Sequence, residues 1–224
     1  MTTISAGSPS ASAIQRAAGE FGLSLDDEQV KQIQQYTKIL LAWNDKVNLT
    51  AIRDPLEVLY RHFCESMYGV VALPVEKCRL ADVGSGAGFP GLPLKILRPD
   101  LEVFLIESNV KKATFMAEVI RELGLRDARV LVSRFEELAE EVAPLDVVCS
   151  RALGDFARFL EWAGSPEVAT KNVLLWLGGR DLEEVRAISG WQWDQPKPMP
   201  HSLQRLILRG LRIEAGRPEP APPG

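Results

Sequence analysis

The sequence predicts an α/β protein, a mostly parallel seven-stranded sheet covered by helices with a helical cap at its N-terminus. Three observations predict it. Beyond residue 75, short apolar runs alternate with helical segments, and strand and helix in turn build a parallel sheet. Those runs are apolar at successive positions, so both faces of each strand are buried. Before residue 75 the apolar residues recur at spacings of three and four, the period of a helix with one buried face. With 224 residues, 46% hydrophobic and 25% charged, the chain can hold one main core plus an appendage. That average composition excludes a disordered, collagenous or coiled-coil protein.

The elements follow in order. Residues 1–12, rich in Ser, Ala and Thr, and residues 216–224, rich in Pro, are expected to be disordered tails. The cap is expected over 13–75 and the sheet domain over 76–215. Within the cap, Val30, Ile33, Tyr36, Leu40 and Trp43 share one helical face. Asp54, Pro55 and Glu57 then read as N-cap, first-turn proline and capping-box acid of a helix whose apolar face is Leu56, Leu59, Phe63 and Met67. Strands are predicted at 79–83, 102–107, 128–132, 145–150 and 172–177, with helical segments around 90–98, 110–123, 134–142 and 154–163. The stretches 203–210 and 211–215 read as a terminal hairpin of antiparallel strands.

Composition narrows the chemistry. No apolar run reaches about 18 residues, so no membrane-spanning helix is expected. The opening MTTISAGSPSASA lacks a basic stretch leading into an apolar one and does not read as a secretory signal. A monomer in the cytoplasm is the expectation. Cys64, Cys78 and Cys149 form no CxxC pair, and suit neither a disulfide framework nor a zinc site. With only His62 and His201, a histidine metal centre or a Ser-His-Asp triad has little material, and no metal is expected. The net charge of −4 argues against coating nucleic acid by charge alone, so an RNA partner must be met by a local basic patch.

The most informative stretch runs from Asp82 to Gly91, DVGSGAGFPG. It follows the first predicted strand and opens a helix, so backbone amides face a ligand at the carboxyl edge of the sheet. Glycines at 84, 86 and 88 allow close approach and positive φ. A dinucleotide fingerprint GxGxxG would place its third glycine at Phe89, which leaves a pyrophosphate less room. Glu107, at the end of the second strand, is placed to accept both hydroxyls of a ribose. Acid, glycine loop, apolar wall and second acid together suit S-adenosylmethionine.

The stretches WNDKVNLTAIRDPLEVLYRHFCES and DVGSGAGFPGLPLKILRPDLEV, then SRFEEL and SRAL, resemble the small-subunit ribosomal RNA guanine-N7 methyltransferases, also called the glucose-inhibited division protein B family. The likeness is close over roughly residues 30–160 and looser elsewhere. It implies a Rossmann-like class I methyltransferase fold and methyl transfer from S-adenosylmethionine to N7 of a guanine in 16S ribosomal RNA. Carried over by position, cofactor contacts fall on Gly84 and Phe89 in the loop, on Phe135 and Glu136 in SRFEE, and on Arg151 in SRAL. Gly86 and Glu107 join them from the loop and second strand. One departure stands out: the family's Leu-Lys-Gly turn after the fifth strand is here Trp176-Leu177-Gly178-Gly179-Arg180, with Gly178 at the lysine position.

Guanine N7 carries a lone pair and no proton, so such a transfer needs placement and no general base. No NPPY-like turn for amine methylation follows the fourth strand, and Cys149 has neither a Pro-Cys turn nor a neighbouring histidine to activate it; it reads as a strand filler. Glu107 or Asp82 would temper the cationic product. Expected RNA contacts are Arg61, His62, Lys111, Arg134, Arg180 and Arg205, with Arg151 able to serve either RNA or cofactor. Two other readings are a small-molecule methyltransferase on the same fold and a non-catalytic binder of RNA or adenosylmethionine.

Overall fold

The computed structural model describes residues 7–151 and 154–213. The cap begins with α1 (Ala11–Glu20) and α2 (Asp27–Asn44). Ser10 caps α1 through its hydroxyl, and Asp26 with Gln29 closes a reciprocal capping box on α2, satisfying amides that a helix start leaves open. Of the stretch 1–12 expected as a disordered tail, residues 11 and 12 are helical because Ser10 starts the helix there. Residues 1–6, and all of 216–224, lie outside the described residues.

A continuous helical stretch completes the cap: α3 (Pro55–Val58), a π-helical turn (Leu59–Cys64), α4 (Glu65–Met67) and a 3₁₀ turn (Tyr68–Ala72). Asp54 caps it by accepting the Glu57 amide at 2.8 Å. Leu59, Phe63 and Met67 are buried as expected, whereas Leu56 is 50% exposed and Val58 is buried in its place. The π turn, with its wider winding, rotates the apolar face between the first turn and the rest.

The sheet comprises β1 (Arg79–Val83), β2 (Glu102–Ile106), β3 (Ala128–Leu131), β4 (Val147–Arg151), β5 (Asn172–Gly178), β6 (Trp191–Trp193), β7 (Lys197–Pro198) and β8 (Arg205–Arg212). Its order is β3-β2-β1-β4-β5-β8-β6, with the two-residue β7 also on β8. The first five strands are parallel, and β8 runs antiparallel to β5 and β6. The remaining helices are α5 (Gly91–Leu97), α6 (Val110–Glu122), α7 (Ala139–Val142), α8 (Phe156–Ala163) and α9 (Leu182–Arg186).

The period-two alternation of the strands feeds two cores. Leu80, Val103, Leu105 and Cys149 face the cap with α5 and α6, while Ala81, Val83, Phe104 and Val148 face the side of α8. The expected terminal hairpin is instead one strand, β8, whose residues 205–211 pair with the whole of β5. Gly210 makes no turn. It is a glycine because Trp193 lies against it, and a Cβ there would stand 2.6 Å from the indole ring.

Candidate active site

The loop between β1 and α5 is shaped by backbone bonds to its own sheet. The Gly84 and Ser85 amides donate to the Ile106 carbonyl of β2 at 2.9 and 3.2 Å, and the Gly88 amide turns back onto the Ser85 carbonyl at 2.7 Å. Gly84, Gly86 and Gly88 all have positive φ, which only glycine adopts without strain. At Gly88 the space is also required, since a Cβ would lie 2.5 Å from the Tyr36 hydroxyl and from Leu92. Above Gly84 none of the described residues lies within 4 Å of an added Cβ, so that peptide faces open space among them.

Two acids serve the loop differently. The Gly86 amide donates to Glu107 Oε2 at 3.0 Å, and the Asn109 amide to Oε1 at 2.8 Å. Each oxygen keeps a lone pair for a further donor. Asp82 is wholly buried and accepts the Gly91 amide at 2.9 Å through Oδ2, while Oδ1 has no partner among the described residues. Burial, helped by the charge of Glu107, pushes its carboxyl up to about 7 against the hydrogen bonds that lower it. The expectation that Asp82 could temper a cationic product is corrected: it sits beneath the loop, with no surface to offer a ligand.

The cap is locked onto this loop by aromatic packing. Phe89 stacks on Tyr36 at 5.3 Å and 6°, and on His62 at 4.8 Å and 21°. The Tyr36 hydroxyl donates to the Ala87 carbonyl. His62 shares a 2.7 Å hydrogen bond between Nε2 and Thr50 Oγ1. Burial and the charges of Arg151 and Arg61 drive it down to about 3, so it is neutral near pH 7. In the structure the ring is engaged with Phe89 and Thr50.

A cleft of about 290 Å³ opens over β1, β2 and the end of β3, lined by Gly84, Glu107, Arg134, Phe135, Glu136 and Arg158 among others. Phe135 opens a 3₁₀ turn, Phe135–Glu137, whose leading amides have no partner within the turn. Its ring packs on Trp162 at 5.1 Å, and Glu136 is paired with Arg158 at 2.6 Å. Of the residues expected to meet a cofactor, this cleft gathers Gly84, Glu107, Phe135 and Glu136. Gly86 stands behind Glu107, Phe89 lies under the cap, and Arg151 stands on β4, beyond β1.

At that end the sequence reading missed Glu65. Its buried carboxylate is met by Arg205 at 2.7 Å, Arg61 at 3.4 Å and Arg151 at 3.6 Å. Arg151 also donates to the Arg61 carbonyl at 2.7 Å and to Ser66 Oγ at 3.3 Å. Burial lowers the Arg151 pKa from its ordinary value, with Glu65 opposing. The one clue in the sequence was the Arg61–Glu65 spacing of four on a helix. Lys111, Arg134 and Arg180 are exposed. Cys149 is fully buried, and burial raises its thiol well above the ordinary value, consistent with a filler and not a nucleophile.

The family described as rRNA small subunit methyltransferase G (GidB) matches residues 29–190. A ribosomal RNA small subunit methyltransferase G from Xanthomonas oryzae pv. oryzae is 41% identical over 200 residues, 88% of this chain and 91% of its own. One from Roseiflexus castenholzii is 42% identical over 170 residues, 75% of this chain and 69% of its own. Among solved structures, a SAM-dependent methyltransferase from Aquifex aeolicus aligns with a TM-score of 0.56 at 14% identity, covering 74% of this chain and 97% of that one. A precorrin-6y C5,15-methyltransferase from Geobacter metallireducens aligns at 0.52 and 14% over 66% and 87%. At such identity these two speak to the fold alone, a class I methyltransferase architecture.

Proposed function

The chain belongs to the rRNA small subunit methyltransferase G family, and on that premise we propose how its own residues carry the reaction. It is an S-adenosylmethionine-dependent enzyme that methylates N7 of a guanine in 16S ribosomal RNA. The cofactor, when bound, supplies an electrophilic methyl group.

The single observation that carries the assignment of residues is the double anchoring of Glu107 by the Gly86 and Asn109 amides. A carboxylate so held, with a lone pair left on each oxygen, suits a ribose diol. Gly84 leaves room for the nucleoside, the leading amides at Phe135 and Glu136 meet the base edge, and Arg151 stands at the methionine end. Phe89 acts by tying the loop to Tyr36 and His62. Placement is what these residues provide, and holding two reactants in line is worth about 7–11 kcal/mol. No residue has a proton to remove from N7.

The RNA-facing cations are Arg134 in the lining of the nucleoside cleft, Lys111 exposed in the first turn of α6, and Arg180 and Arg205 at the wider groove. Arg61 contributes through the cap. We place the enzyme in the cytoplasm as a monomer; among the described residues no helix is long and apolar enough to cross a membrane. The test is transfer of labelled methyl groups from S-adenosylmethionine into 16S RNA taken from cells lacking the protein, with the product mapped as N7-methylguanine. No incorporation, or incorporation at another atom, overturns the assignment.

A further inference from the structure

The carboxyl edge of the sheet carries a second recess, of about 300 Å³, over the ends of β4 and β5. Its lining includes Phe156, Trp176, Met199, Gly178 and Asp181, with Arg151 at the side toward the nucleoside cleft. It shares Gly178, Asp181 and Arg205 with a wider groove of about 640 Å³ that also holds Arg180 and Leu203. Leu203 is fully exposed there. The result is a slot with Phe156 and Trp176 in its lining that opens into a groove holding Arg180 and Arg205; bases stack on aromatic rings and their flanking backbone meets cations.

The acids around the slot are not equivalent. Glu65 is enclosed by three guanidiniums. Asp181 accepts only the Gly178 amide, through Oδ2 at 3.3 Å, among the described residues. Gly178 leaves the mouth open, since a Cβ there would stand 3.2 Å from that same oxygen.

Resting on the methyltransferase reading above, we propose that this recess receives the target guanine, turned out of the RNA, with Asp181 accepting from its N1–H and 2-amino group and Phe156 and Trp176 forming its walls. Extruding a base into a snug pocket is how enzymes reach an atom hidden in a stack. A purine whose Watson-Crick edge meets Asp181, beyond β5, turns N7 the other way, toward β4 and β1. Methylation leaves the purine cationic, and aromatic walls favour a cation. A guanidinium free to donate to O6 and N7, a common contact to guanine, would instead occupy the very lone pair that must react. Glu65 holds all three arginines away from that role.

The experiment compares two RNAs that differ only at the target, guanosine or inosine, since inosine keeps N7 and lacks the 2-amino group. The wild-type enzyme is expected to favour guanosine in kcat/KM by about tenfold, the scale of a hydrogen bond to a charged group. Asp181→Ala brings that ratio to near one, and Asp181→Asn, which keeps one acceptor, lies between; calorimetry shows unchanged cofactor affinity in both. Phe156→Leu lowers kcat/KM for RNA by about tenfold or more through lost stacking, again with cofactor affinity unchanged. An equal guanosine preference in wild type and Asp181→Ala overturns the proposal. A wild-type enzyme that methylates neither RNA overturns the underlying function instead.

Discussion

The Gly86 amide donates to Glu107 Oε2 across 3.0 Å, so the glycine loop after β1 and the acid after β2 form one rigid unit. Neither can be altered alone. Glu107→Ala removes the proposed ribose acceptor and strands two loop amides, those of Gly86 and Asn109. Hydrogen bonds to a charged group are worth about 1.5–3 kcal/mol. S-adenosylmethionine affinity should therefore fall by at least tenfold in calorimetry, and Glu107→Gln should fall less. Unchanged affinity would show that the ribose is held elsewhere.

Asp82 makes stability depend on pH. Its carboxyl titrates near 7 in the folded chain and near the ordinary value of about 3.9 when unfolded. Between those values the folded state holds the extra proton, so the stability from the neutral form is complete below the unfolded pKa and is lost as pH rises through 7. Asp82→Asn mimics the neutral form and still accepts from Gly91. Melting curves at pH 4 to 8 should show a decline in the wild type that the variant lacks. Parallel declines in both would place the titration on another group.

Removing the shared carboxylate at the cap should be severe. Glu65→Ala leaves three guanidiniums facing one another, and breaking a buried pair costs about 3–5 kcal/mol. By contrast, Arg53→Ala breaks an exposed 3.3 Å pair with Asp45, and should shift stability by less than about 1 kcal/mol. Chemical denaturation of both variants measures the difference. Similar losses would deny Glu65 its organising role.

Cys149→Ala should retain methyl transfer while losing some stability to the cavity it leaves. Its thiol lies buried under the loop with a raised pKa, so thiol reagents should leave the native protein unlabelled there until it unfolds. Loss of transfer with cofactor binding intact would argue for a covalent step.

RNA affinity should weaken with salt. If four of the basic residues neutralise phosphates of a single strand, log affinity falls against log salt with a slope of about −3. Filter binding across a salt series gives that slope, and removing Arg180 should flatten it by about 0.7. A flat response would exclude phosphate contacts as the source of affinity.

Much of the fold was legible because it is local. The five parallel strands each carry an apolar run, and α2 and the Asp54 cap follow spacing rules that act within a few residues. The errors arose where distant packing intervened. Gly210 resembles a turn residue by itself, yet Trp193, packed across from it, makes it a strand residue. Leu56 has the spacing of a buried face, but the π turn that follows shifts the register. That burial, with Arg151 and Arg61, holds His62 neutral could not be read from its neighbours in the chain either.

The chain by itself determined the glycine loop, its two acids and thus the class of cofactor, because backbone conformation and a neighbouring strand suffice to build them. Only the tertiary structure decided which groups Glu65, Asp181 and Phe89 meet. Arg205 lies 140 residues from Glu65 in sequence, and whether two such charges meet depends on how β8 pairs and how the cap docks. Electrostatic and stacking contacts act over a few ångströms, and no local pattern records which distant side chains come within that reach.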